Sequence, residues 1–150
     1  MSKNSMYVIV AIVVIIIVAG GVLAYVFTRP SGGGGGNTID IYAAEYKFST
    51  SSNLSPSNPT LTFTAGQTVT VKLHNIGTMP HNWAIVTAKT DGNTNLGFSG
   101  AQIGSAANPV QAGSTSSATF TVGSTGTYYY ICQIDGHVSL GMAGTVTVNP

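Results

Sequence analysis

The sequence has a single cysteine, Cys132, in 150 residues. A lone thiol closes no internal disulfide, and it excludes zinc sites assembled from two or more cysteines. Charge is almost as scarce. Charged residues are 6% of the chain, five lysines and arginines against four carboxylates. Beyond residue 36 there are three lysines (Lys47, Lys72, Lys89) and four acids (Asp40, Glu45, Asp91, Asp135), a net charge of −1. Nucleic-acid binding needs a basic patch, which this composition does not supply. Few carboxylates also leave few groups whose protonation can unfold the chain in acid, so tolerance of an acidic exterior is expected. No internal repeat is visible.

Apolar length, by contrast, is abundant at the N-terminus. Residues 6–27 contain no charge and are nearly all Val, Ile, Ala, Leu or Gly. As a helix they would reach about 33 Å, enough to cross a hydrocarbon core. A cleaved signal peptide has an apolar region of only about 7–15 residues before an A-x-A-type site. The stretch Leu23-Ala24-Tyr25-Val26-Phe27 offers no such site, and no cysteine near Gly20 and Gly21 is there to take a lipid. Residues 1–30 are therefore expected to form one uncleaved transmembrane helix. Lys3 and Arg29 flank it and barely separate the two orientations. The β-rich remainder suits a single-pass protein of the cell membrane with its C-terminal domain extracytoplasmic. Residues 31–37 are glycine-rich and read as a flexible linker, leaving residues 38–150 as the working domain.

From there the hydrophobic pattern has a period of two. Val69, Val71 and Leu73 alternate with Thr70, Lys72 and His74. Phe120 and Val122 alternate with Thr119 and Thr121, and Val146 and Val148 with Thr145 and Thr147. Further short runs fall at 39–43, 46–49, 61–64, 82–87 and 127–131, separated by turns such as Ala65-Gly66-Gln67 and Gly123-Ser124-Thr125-Gly126. Roughly seven or eight short strands with frequent turns predict an all-β antiparallel sandwich. Residues 89–114 lack periodicity and are expected to form an irregular crossover with a short helix around 101–107.

The chemistry concentrates near the C-terminus. Cys132, His137 and Met142 follow one another with four residues between each pair, and a second histidine stands in Met79-Pro80-His81-Asn82-Trp83. One thiolate, two imidazoles and a thioether form a soft set suited to copper cycling between Cu(II) and Cu(I). Cys132 ends one strand and Met142 precedes the next, so their loop would present three donors at one end of the sandwich. His81, from another strand, would be the fourth. Met79 is the alternative thioether, less well placed than Met142. Taken alone, a buried cysteine is a small hydrophobe; the company of His81, His137 and Met142 makes it a ligand candidate. His74 falls on the polar side of its strand and reads as a surface residue, and Asn75 as one that fixes a turn. Met79, Pro80, Val138 and Leu140 would form an apolar collar at the exposed edge of His137, a docking patch for partners.

These motifs resemble the cupredoxins, the type 1 blue copper family. The run from Thr127 through Tyr128-Tyr129-Tyr130-Ile131-Cys132-Gln133-Ile134-Asp135-Gly136-His137 to Met142 is most similar to the rusticyanins, with auracyanins and sulfocyanins close. Asn58-Pro59-Thr60-Leu61 continues the similarity, while His81-Asn82-Trp83 is nearer to azurin and auracyanin. The resemblance implies a Greek-key β-sandwich with one copper held by His81, Cys132, His137 and Met142. It also implies that Asn82 ties the two ligand loops together by hydrogen bonds near the Cys132 sulfur. Rusticyanins have serine where Asn82 stands. The family usually has proline where Asp135 stands, so a carboxylate is expected at the rim of the site, where its charge would lower the copper potential. A membrane anchor is a feature of sulfocyanins.

The implied function is a membrane-anchored carrier of single electrons between respiratory-chain partners, such as a donor and a terminal oxidase, on the outer face of the membrane. With so little charge, encounters would rest on the collar more than on electrostatic steering. Copper catalysis fits poorly. Cys132 is flanked by Ile131 and Gln133 rather than histidines, and only His74 remains as a spare imidazole. No enzyme activity and no small-molecule substrate are expected. A copper chaperone would show more exposed Met, Cys or His. The alternative is a copper-binding subunit of an oxidase complex or of a surface assembly.

Overall fold

The computed structural model describes residues 37–150, which form nine strands and no helix. They are β1 (Asn37–Ala44), β2 (Lys47–Ser49), β3 (Leu61–Thr64), β4 (Thr68–Asn75), β5 (Trp83–Val86), β6 (Gln102–Ile103), β7 (Thr115–Thr121), β8 (Gly126–Ile131) and β9 (Ala143–Asn149). Alternation places most of them. In β4, Val69, Val71 and Leu73 are buried while Thr68 and Lys72 face water, and β3 buries Leu61 and Phe63 between exposed threonines. Strands β2-β1-β4-β7 make one sheet and β3-β9-β8-β5-β6 the other. Their inner faces share one core, where Ile41, Phe48 and Leu73 of the first sheet meet Phe63, Trp83 and Tyr130 of the second. All of β5 is buried. Its second face, Ala84 and Val86, joins Ile131 and Ala143 in a smaller cluster packed against Leu96, Tyr129 and Val138.

Two expectations are corrected. The sandwich is not wholly antiparallel, because β1 runs parallel to β4 and β3 parallel to β9. The chain changes sheet after β2 and again after β3, and parallel neighbours need such crossover connections, which a hairpin cannot supply. No helix forms at 101–107. Gly100 and Gly104 take φ values of +76° and +67°, left-handed conformations that interrupt a helix. Between them, Gln102 and Ile103 pair with Ala84 and Trp83 as the added strand β6. The expected anchor over residues 1–30 and the linker up to residue 36 lie outside the described residues, and Asn37 already opens β1. Among the described residues no helix is long and apolar enough to cross a membrane.

One glycine controls how the strand before the cysteine packs. Tyr130 and Gly144 face each other across β8 and β9. The Tyr130 ring is fully buried and its hydroxyl donates to the Pro59 carbonyl at 2.6 Å, so it has little room to move. A Cβ at position 144 would collide with the ring's Cζ and hydroxyl. Gly144→Ala is expected to cost roughly 1–3 kcal/mol, as overpacked cores do. The readout is a lower denaturant midpoint with an unchanged slope. An unshifted midpoint would show that the ring is not held in place.

Candidate metal centre

The connection from Cys132 to Met142 is closed at its base like a hairpin. Ile131 pairs with Ala143, the Cys132 N–H donates to the Met142 carbonyl at 3.2 Å, and the Met142 N–H donates to that of His137 at 2.9 Å. Within the loop, the His137 N–H donates to the Ile134 carbonyl at 3.1 Å and the Leu140 N–H to that of Gly136 at 3.1 Å. Gly136 and Gly141, with φ of +81° and +107°, make reversals that L side chains rarely adopt. His81 arrives from the other side, just before β5. Its N–H and carbonyl pair with those of Val110 at 3.1 and 2.8 Å. Asn75 fixes the turn before it, donating to the carbonyls of Met79 and Val110 at 2.8 and 2.9 Å and accepting from the Gly77 N–H.

These frames bring one donor atom each from His81, Cys132 and His137 within 4.8 Å of one another. The Cys132 Sγ lies 3.3 Å from His137 Nδ1, and the two imidazole rings meet at 5.2 Å between centroids. All three side chains are buried, as is Met142. Met79 is 38% exposed, and its sulfur accepts the Tyr46 hydroxyl at 3.6 Å. Neither ring nitrogen of His81 meets a hydrogen-bond partner. Among the described residues the only other buried side-chain nitrogen or oxygen in that condition is Trp83 Nε1. An unsatisfied buried polar group costs about 1–3 kcal/mol. Coordination would satisfy one of the two His81 nitrogens, and two imidazoles facing one sulfur fit a soft metal such as copper.

Burial pushes His81 down to about 4, with His137 adding to the effect and Glu45 opposing it. Burial also lowers His137, and Asp91 opposes it there. Both imidazoles are therefore neutral near pH 7, the form that ligates. Burial pushes the Cys132 thiol up, so the metal-free protein holds a proton on sulfur that binding must release.

Asn82 stands where the resemblance implies. Its N–H points at the Cys132 Sγ from 3.5 Å, its Oδ1 accepts the Gln133 N–H at 2.7 Å, and its Nδ2 donates to Gln133 Oε1 at 2.7 Å. Gln133 was not singled out from the sequence. Only 2% exposed, it also accepts from Gln102 Nε2 at 2.8 Å and donates to the Asn93 carbonyl at 2.9 Å. Its place beside the lone cysteine was the available signal. Asp135 is exposed and lines a groove with Gly92, Thr94 and Ala106. The carboxylate bonded to the ligand loop is instead Asp91, which accepts from the Val138 N–H at 2.8 Å. In the collar, Leu140 is 59% exposed, with Pro80 and Val138 half-buried. Tyr46, unread in the sequence, packs edge-on against His137 at 5.1 Å. His74 lies on the outer face of its sheet, bonded to Asp40 at 2.7 Å and stacked on Tyr42.

A buried histidine–cysteine–histidine set at one end of a two-sheet β-sandwich, with Met142 bonded through its backbone to the cysteine, defines a cupredoxin with a type 1 copper site. The chain belongs to the plastocyanin/azurin family of copper binding proteins, which matches residues 44–149. Auracyanin-A of Chloroflexus aurantiacus is 36% identical over 104 residues, covering 59% of this chain and 64% of that protein. Auracyanin-B of the same organism is 49% identical over 41 residues, 27% of this chain and 17% of its own length. The chain thus spans less than two thirds of the curated relatives it matches. Among solved structures, reduced auracyanin from Roseiflexus castenholzii superposes with a TM-score of 0.59 at 25% identity, covering 78% of this chain and all of that one. Rusticyanin from Thiobacillus ferrooxidans gives 0.58 at 26% identity, covering 76% and 79%.

Glu45 supports the segment that leads to His81. One of its oxygens accepts from the Thr78 N–H at 2.5 Å, the Met79 N–H at 2.8 Å and the Thr78 hydroxyl at 3.1 Å. Bonds from its own N–H and those of Met79 and Thr78 draw its carboxyl from 4.5 down to about 2. The folded value lies below the unfolded one. Ionised Glu45 therefore stabilises the fold above about pH 4.5, and its contribution fades as pH falls toward 2. In the metal-free protein, Glu45→Gln is expected to be less stable than wild type at pH 6, with the gap closing as pH approaches 2. Parallel stability curves across that range would contradict the assignment.

Proposed function

We propose that the chain is a membrane-anchored carrier of single electrons, working between respiratory-chain partners on the outer face of the cell membrane, and that it is not an enzyme. The observation that carries this reading is the convergence of His81, Cys132 and His137 in a pocket where the His81 nitrogens make no hydrogen bond. Copper, when bound, supplies a one-electron Cu(II)/Cu(I) couple. His81, Cys132, His137 and Met142 would hold it. The Asn82–Gln133 bonds and the Val110 bridge fix the donors from two sides, so little has to rearrange when the charge changes. A carrier rather than a catalyst is supported by the flanks of Cys132, Ile131 and Gln133, which bring no imidazole for a second metal.

The collar supports brief encounters. Leu140 and Met79 present exposed apolar surface, and transient redox contacts typically bury less than about 1,200 Å². The charge-free run at residues 6–27 supports the anchor.

The purified full chain should turn intensely blue on adding copper and bleach with a reductant, and Cys132→Ser should stay colourless. In cells, high salt should leave the protein on membranes, while deleting residues 6–27 should release the blue domain. Leu140→Lys should keep the colour but slow exchange with the membrane partner several-fold. A full chain that stays colourless with copper, or that salt strips from membranes, would end this reading.

A further inference from the structure

The connection from β5 to β6 does more than join them. Residues 87–97 fold back along β5, with the Thr87 N–H donating to the Asn95 carbonyl at 3.1 Å and the Gly97 N–H to that of Ile85 at 2.9 Å. Val86 bridges Leu96, which lies with Val138 over the smaller apolar cluster behind Ile131. Asn93 stiffens the tip, donating to the Ala88 carbonyl at 2.7 Å and accepting the Asn95 N–H at 2.8 Å. Two attachments then run from this strap to the ligand segment. The Asn93 carbonyl accepts from Gln133 Nε2 at 2.9 Å, one residue past Cys132. The Asp91 carboxylate accepts the Val138 N–H at 2.8 Å, the Ser139 N–H at 3.2 Å and the Ser139 hydroxyl, immediately past His137. One strap therefore grips the chain just beyond each of two metal donors.

We propose that Asp91 is a positioning residue for the copper site: through Val138 and Ser139 it holds His137 in its ligating place before metal arrives, and its fixed charge lowers the reduction potential. The proposal rests on the copper reading above. Bonds to an ionised carboxylate are roughly twice as strong as neutral ones, so Asp91 is a firmer tether than a hydroxyl or amide would be. Without it, two amides of a tight turn would lose their acceptor. The negative charge of Asp91, bonded to the two residues that follow His137, favours the oxidised ion over the reduced one, because the oxidised ion carries one more positive charge. If Asp91 only closed a surface turn, a neutral residue able to accept the same bonds would leave the potential where it is.

The test uses the full chain. Asp91→Asn keeps an acceptor oxygen but removes the charge, Asp91→Ala removes both, and Asp40→Asn removes a charge from the outer face of the first sheet. In the copper-loaded protein, both Asp91 variants should raise the reduced-to-oxidised ratio at a fixed poise by about threefold or more, ~28 mV for a one-electron couple at 59 mV per tenfold. Asp40→Asn should leave it unchanged. In the metal-free protein, amide exchange at Val138 and Ser139 should quicken about tenfold or more in Asp91→Ala, while Asp91→Asn keeps most of the protection. A wild-type potential in Asp91→Asn, or wild-type protection in Asp91→Ala, would overturn the proposal. Should Asp91→Ala fail to fold, the potential of Asp91→Asn still decides it. A wild-type protein that forms no blue copper complex would instead refute the reading beneath it.

Discussion

An imidazole buried with neither nitrogen hydrogen-bonded is unfavourable, and the chain holds that of His81 in place with considerable polar machinery. Its backbone is clamped to Val110, Asn75 fixes the turn before it, and Glu45 caps the residues that lead into it. None of those bonds reaches the ring. The ring faces His137 and the Cys132 sulfur instead, in a pocket dry enough to keep both imidazoles neutral. The arrangement gains compensation when one nitrogen of the ring donates to a metal, so metal binding and stability of this end of the fold are linked.

The sandwich makes that arrangement durable. Cys132 and Met142 leave and re-enter adjacent strands, and the loop between them is closed at its base by its own backbone. His81 belongs to the opposite frame, held by the irregular segment around Val110. Asn82 and Gln133 join the two frames next to the sulfur, and the strap at 87–97 braces the loop from behind. A cage restrained from both sides changes little when one electron enters or leaves, and that is what a carrier requires. Met79 and Leu140 leave apolar surface exposed.

What the sequence revealed was local. Alternation along 68–75 and 143–149 reads out as β4 and β9 because one face of each strand is buried. The spacing of Cys132, His137 and Met142 was legible because a single short loop carries all three. Pairing direction was not, since a period of two says which face is buried and nothing about the neighbouring strand. The short helix expected around 101–107 does not form, because Gly100 and Gly104 set the local backbone. Glu45 and Asp91 act on partners 33 and 47 residues away, separations at which no spacing rule operates, and Asn82, 51 residues from Gln133, was legible only through the family resemblance. Asp135 stood out because the family usually has proline there; it is exposed, and a second acid, Asp91, bonds the loop from another segment.

The most direct test of the central claim is X-ray absorption at the copper edge of the loaded protein. The account predicts one short copper–sulfur bond and two imidazole nitrogens, with the sulfur lost in Cys132→Ser and one nitrogen lost in His81→Ala. Copper surrounded only by nitrogen and oxygen, or a spectrum indifferent to either substitution, would contradict it.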